Sequence, residues 1–464
     1  MSRRKQHNSS TADAPLNIIS DLFTIVYVFH IYLARRVHYT HKCSWRSCGS
    51  DVSRVLRLEE RKLKIMKYNA WTLALIGAGV VTLPAMAHAE ESKNVALTAL
   101  SATTISGYVD TSAQWNPGTG NANLPVYTPN GAPGSSKADG FNLDVVAITL
   151  NKPVGEGEWG AGYNATLLFG PDATGFNNSA GATASDFSLK DAYVDLHAPL
   201  GNGLDLKIGT FTEILGYEVY ETGNNPNYTR SYGYEIEPLA MTGILAAYQF
   251  SPVISAQAGV ANTWSTGVNT RSDPPKAESY KAYMGSVTLT APESLGFLAG
   301  STLFGGMING FDAGATQAAK TSIYAGATVK TPLKCLSVGL AYDYVAVGDA
   351  DTFDSETGLV IRRSGFQNAS ALYLLWQATD KLSFNTRADY FSQSDFLASS
   401  GMPGKAFALT ETVQYNLWKN VISRLEFRWD HSANGQDAYG GTAPLYVPSL
   451  KNAFQVAANV IYKF

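Results

Sequence analysis

The chain has 464 residues and a net charge of -3, from 35 Lys+Arg against 38 Asp+Glu. That average hides a division: residues 1–89 hold 13 basic and 5 acidic residues, the remainder 22 basic and 33 acidic. The acidic body lacks the basic footprint that nucleic-acid binding needs, and after residue 89 no run of about 18 apolar residues allows a bundle of membrane helices.

Residues 66–89 read as a secretory signal. Lys67 follows Met66, Trp71 to Ala85 is uncharged, and Ala87-His88-Ala89 is a small-x-small site before Glu90-Glu91. Cleavage is expected after Ala89, leaving a mature chain over 90–464. Met66 then reads as the true start, and residues 1–65 as a mis-called or disordered N-terminal extension. The alternative makes Leu22–Ala34 an extra anchor, but it is short for a span and is interrupted by His30. Cys43 and Cys48 lie in this N-terminal part; only Cys335 follows, so the mature chain has no intrachain disulfide framework.

Sixteen strand candidates follow. They begin near residues 104, 141, 158, 187, 203, 239, 254, 279, 295, 320, 335, 367, 381, 406, 420 and 453. Each has about ten residues, the length of a tilted membrane-crossing strand. Long connections (116–140, 171–185, 213–237, 265–277, 309–319, 347–365, 394–405, 433–450) alternate with tight turns such as Pro199-Leu-Gly-Asn202 and Thr379-Asp380. This alternation predicts an all-β fold: a transmembrane antiparallel up-and-down β-barrel of 16 strands, with long extracellular loops, short periplasmic turns and both termini periplasmic.

The side-chain phase agrees. Near the C-terminus, Val421, Leu425, Phe427 and Trp429 share one face, and Arg424, Glu426, Arg428 and Asp430 the other. Leu382, Phe384, Ala388 and Tyr390 likewise oppose Ser383, Asn385, Arg387 and Asp389. Charged inner faces on neighbouring strands predict a water-filled lumen. Trp115, Trp159, Trp264, Trp376, Trp418 and Trp429 all fall near strand ends, where membrane-interface belts form against the outer-membrane lipids. The last strand ends at Tyr462-Lys-Phe464, whose terminal aromatic resembles the signal read by barrel-assembly machinery.

Several motifs carry less than they first promise. Gly155-Glu-Gly157-Glu-Trp-Gly160 matches a dinucleotide fingerprint, but an alternating strand follows where that fingerprint needs a helix. Asp349, Asp351, Asp354 and Glu356 hint at calcium, yet the glycine of an EF-hand loop is missing, so a solvated acidic loop is expected. His197 and His431 stand in no Ser-His or metal pattern. No cofactor and no metal site is expected, nor a catalytic residue.

The segment from Ile208 to Tyr232 is the most specific. Gly216-Tyr-Glu-Val219, Asn225-Pro-Asn-Tyr228, Arg230-Ser-Tyr232 and Thr242-Gly243 resemble the β-barrel porin family of the OmpL-like type. The likeness is sharp over 207–248 and extends in layout over 100–464; where the family often has His, this chain has Met241. The resemblance implies an outer-membrane channel. In similar porins this third long loop folds into the lumen and narrows it. Here it holds Glu213, Glu218, Glu221, Glu235 and Glu237 against Arg230 alone. Set against Arg387, Arg424 and Arg428 of the wall, beside Asp389, Glu426 and Asp430, it predicts a transverse field across a charged constriction. Small hydrophilic solutes and ions would diffuse passively, sorted by size and charge. The competing readings are a barrel enzyme of lipase or protease type and a plugged structural or adhesive barrel. Sixteen strands also point to a homotrimer.

Overall fold

The computed structural model describes residues 103–125, 137–155, 158–178, 186–264, 266–273, 276–313, 318–353, 360–399 and 401–464. The expected signal and extension, and residues 354–359 of the acidic loop, lie outside the described residues. No helix among the described residues is long and apolar enough to cross a membrane.

Sixteen antiparallel strands close into one barrel, each paired with its neighbours in sequence. They are β1 (Thr104–Trp115), β2 (Gly140–Lys152), β3 (Gly160–Phe169), β4 (Phe187–Ala198), β5 (Leu204–Thr212), β6 (Ala240–Gln249), β7 (Ile254–Ala261) and β8 (Ala282–Thr290). Then follow β9 (Thr302–Phe311), β10 (Ala319–Lys330), β11 (Leu336–Phe353), β12 (Val360–Gln377), β13 (Leu382–Gln393), β14 (Lys405–Trp418), β15 (Val421–Ser432) and β16 (Asn452–Lys463). Short helices α1 (Pro171–Phe176) and α2 (Tyr232–Ile236) sit in two long loops. Closure removes the sheet edge, so every strand finds backbone partners on both sides. At the seam Tyr108 pairs with Lys463 and Trp115 with Val456. Gly107 N–H donates to Phe464 O (3.0 Å), and Phe464 N–H to Gly107 O (2.9 Å). A side chain at Gly107 would meet the Phe464 ring.

Two boundaries differ from the sequence expectation. β9 starts at Thr302, because residues 293–298 form 3-10 turns around Gly296, whose φ of 62° no strand accepts. β11 and β12 continue past the expected loop as 18-residue strands, shifted in register between Val347 and Ala350. The Thr352-Phe353 and Val360-Ile361 ends are good strand formers and simply keep pairing.

The outward parity is apolar, with Val194, Ile208, Ile244, Val287, Leu340, Leu425 and Val460 exposed along the strands. The inward parity is not uniformly polar, which corrects the expectation of an open aqueous interior. From β6 to β12 the inward residues include Met241, Leu245, Met284, Phe304, Ile308, Val345, Tyr373 and Leu375. They form one cluster with Leu215, Tyr217, Tyr232 and Ile236 of the third long loop. Most ionisable residues of the inner wall lie on the remaining arc, with Asp343 of β11 buried within the apolar one. An apolar inner wall reads identically to an apolar outer one in a periodicity plot, so only closure around the loop distinguishes them.

Candidate pore constriction

The third long loop leaves β5 at Thr212, runs through residues 213–239 and enters β6 at Ala240. Local chemistry shapes it. Gly216 takes φ 100°, which L side chains avoid. The Asn225 amide folds back, accepting from Val219 N–H (2.8 Å) and donating to Val219 O (2.6 Å) and Glu221 O (3.1 Å). Ser231 caps α2 by accepting from Tyr234 N–H (3.3 Å).

The loop lies inside the barrel, against β10–β16. Arg424 of β15 donates to Thr222 O (2.7 Å) and Asn225 O (2.8 Å). Glu426 accepts from the backbone N–H groups of Tyr228 (2.5 Å) and Thr229 (2.9 Å). Arg428 donates to Arg230 O (2.6 Å) and pairs with Asp430 (2.8 Å). Arg387 of β13 binds Glu218 (2.9 Å), Asp389 (2.9 Å) and Thr229 O (2.7 Å). Asp389 also accepts from Tyr232 N–H (3.2 Å), and Asp430 from the Tyr232 hydroxyl (3.0 Å). Arg230 turns back within the loop, onto Tyr228 O (2.8 Å) and Tyr220 O (2.5 Å). Tyr217 stacks on Tyr373, with centroids 4.2 Å apart. At the other side, Glu221 reaches Lys190 of β4 (3.0 Å), and Lys463 of β16 donates to Gly223 O (3.2 Å).

These contacts change the meaning of the arginines. Arg230 and Arg387 are 0% exposed, Arg428 1% and Arg424 4%. A buried guanidinium needs hydrogen-bond acceptors, and here backbone carbonyls and carboxylates take most of the donors, although Arg230 Nε has none. Arg387, Arg424 and Arg428 are therefore clamps beneath the loop, and Arg230 a brace within it, rather than one side of a solvent-facing field.

The loop's free face is different. The residues of 213–237 with partial or full exposure are Glu213, Ile214, Val219, Glu221, Asn224 and Glu235. Half of these are glutamates, while Glu218 and Glu237 are buried. Burial pushes Glu235 up to about 7 despite the nearby Arg428 and Arg230. Burial, then Asp343, holds Glu237 well above the usual carboxylate range; burial does the same at Glu213, where Asp343 adds to it.

The sequence profile of the family described as "Putative beta-barrel porin-2, OmpL-like" matches residues 102–464. The chain belongs to this family of porins. No curated protein matches it. Among solved structures, the outer-membrane channel DcaP of Acinetobacter baumannii is 11% identical with a TM-score of 0.50, over 78% of this chain and 97% of that one. Salmonella typhi OmpF, in complex with daunomycin, is 12% identical with a TM-score of 0.50 over 78% and 97%. An anion-selective porin from Comamonas acidovorans is 14% identical with a TM-score of 0.49, over 78% and 99%. At such identities the likeness shows the fold.

The porin is thus an outer-membrane channel with a loop in its interior. Its belt also needs one correction. Trp115, Trp159 and Trp418 are strongly exposed, and Trp376 and Trp429 are half-buried on the outer parity. Trp264 is instead buried, donating to Ser322 (2.9 Å) under the Lys320 ammonium, 4.2 Å from its ring. It lies three residues beyond Ala261, the last residue of β7, where the strand phase no longer dictates a face. At the seam, Tyr462 and Phe464 point outward and are exposed. Sequence reasoning missed Lys190, Asp191 and Asp195 of β4 and Asp343 of β11. For Asp191, Asp195 and Asp343 the signal was present, since each shares the strand face opposite to apolar neighbours such as Val194 and Leu340. Lys190 has the parity of Val194 and turns inward only at the register shift between Leu189 and Asp191.

Proposed function

We propose that this porin passes small hydrophilic solutes and ions by passive diffusion beside the inward loop, with a preference for cations. The supporting observation is the contrast in exposure: Glu221 of the loop and the carboxylates of β4 are partly exposed, and the arginines beneath the loop are buried. On β4, Asp191 and Asp195 face inward and are half-buried, and the side chain of Glu221 is 26% exposed. Lys190 offsets part of this charge, through Asp191 (2.9 Å) and Glu221 (3.0 Å). A ring of acidic groups raises local cation concentration and repels anions.

Catalysis has less support. His197 contacts Asp205 (2.6 Å) and His431 contacts Asn452 (2.9 Å), and neither pair includes a nucleophile. In bilayers under a salt gradient, the reversal potential is expected to report cation preference, and Glu221→Gln to reduce it. Anion preference in the unaltered protein would reject this reading. Secretion through the signal at 66–89, delivery by the barrel-assembly machinery and periplasmic termini belong to the same proposal.

A further inference from the structure

The stems of the inward loop meet at a group of carboxylates that the conduction reading does not use. Glu213 begins the loop, Glu237 ends it, and Asp343 of β11 stands between them on the wall. Glu237 and Asp343 are buried and share a side-chain hydrogen bond. Two carboxylates can do so only if a proton lies between them. Glu213 turns onto Leu215 N–H. The backbone makes room: a side chain at Gly216 would collide with the Glu237 carboxyl, and one at Gly233 with that of Asp343.

No cation nearby is available to all three. From β13, Arg387 is held by Glu218 and Asp389 (both 2.9 Å). From β4, Lys190 faces Glu213 but is held by Asp191 and Glu221. From β10 comes the neutral Tyr324 hydroxyl, and from the loop itself Tyr217 and the paired Glu218. Among the described residues, no group of three or more ligating side chains is arranged to hold a metal ion.

We propose that Glu237 and Asp343, with Glu213 beside them, form a proton-dependent latch that holds the loop stems to the β11 wall. Protonated, the group is neutral and hydrogen-bonded. Ionised, it places like charges together in a buried site and drives the stems apart. The sign follows from linkage. Burial and neighbouring carboxylates raise Glu213 and Glu237 in the latched loop above their values in a released one. Latching is then fully favoured below the ordinary carboxylate range and is lost as pH rises through the raised values.

Single-channel conductance of the full protein, followed from about pH 5 to about pH 9, spans the range in which buried glutamates titrate. Conductance is expected to increase with pH. Glu237→Gln keeps a hydrogen bond to Asp343 without an ionisable proton, so it is expected to lose the rise and stay at the low-pH level. Asp343→Asn serves as the second variant and should behave likewise; it decides the matter if the first variant does not fold. Conductance that is flat with pH in the unaltered protein, or a rise that survives in a folded variant, would overturn the latch. Reversal potential, read in the same traces, reports the cation preference separately, so either idea can fail alone.

Discussion

At the residue scale, Glu411 of β14 stands out. It pairs in register with Thr386 and accepts that side chain's hydrogen bond. Its parity is that of Leu409 and Val413, so it faces outward, midway between the aromatic levels of Phe407 and Tyr415. It is the one Asp or Glu on the outward mid-strand parity among the described residues. A carboxylate facing hydrocarbon destabilises a barrel, though less than the ~2–4 kcal/mol of a midplane Arg or Lys. Glu411→Leu is expected to raise the unfolding free energy in lipid vesicles by about 1 kcal/mol. A lower value would mean that the carboxylate is held by a favourable contact. The parity of Glu411 was legible in the sequence. That the other described strands carry no Asp or Glu at this outward level becomes visible only when all sixteen outward faces are placed on one surface.

At the element scale, the inward loop behaves as a packed part of the barrel. Tyr217, Tyr232 and Ile236 join the wall's apolar cluster, and four arginines close over backbone carbonyls. Arg387→Gln would leave Glu218 and Asp389 buried without their cation, which costs about 3–5 kcal/mol. That cost falls on the loop contact, so conductance should rise and protease should cut within 213–237. An uncut loop with unchanged conductance would show that the clamp is dispensable. The composition of the segment marked it as special. Which wall residue each loop group meets was not legible, because Glu218 and Arg387 lie far apart in sequence and no periodicity links them.

At the scale of the whole molecule, strand number and alternating loop length imply a fixed topology. A tag placed before β1 should be hidden from antibody on intact cells, and a tag in the connection 433–451 should be reached. The reverse pattern would reject periplasmic termini. The mass of the detergent-extracted protein then tests the homotrimer, and a monomer alone would reject it. Strand alternation made the barrel legible, since a two-residue period sustained sixteen times has few other solutions. The interior was less legible. The same alternation that describes a wet lumen also describes an inner wall packed against a loop.

The sequence by itself determined the strands, their phase, their closure and the family, because these follow from local periodicity and from motifs contiguous in the chain. It also marked residues 213–237 as the segment to watch. Only the tertiary structure decided what the charges there do. Burial is a property of the folded surface, and it turned the wall arginines from pore lining into clamps while leaving Glu221 and Glu235 partly open. It also brought Glu213, Glu237 and Asp343 together from two stems and a distant strand. A buried carboxylate group without its own cation arises from packing, and packing is what a one-dimensional pattern does not contain.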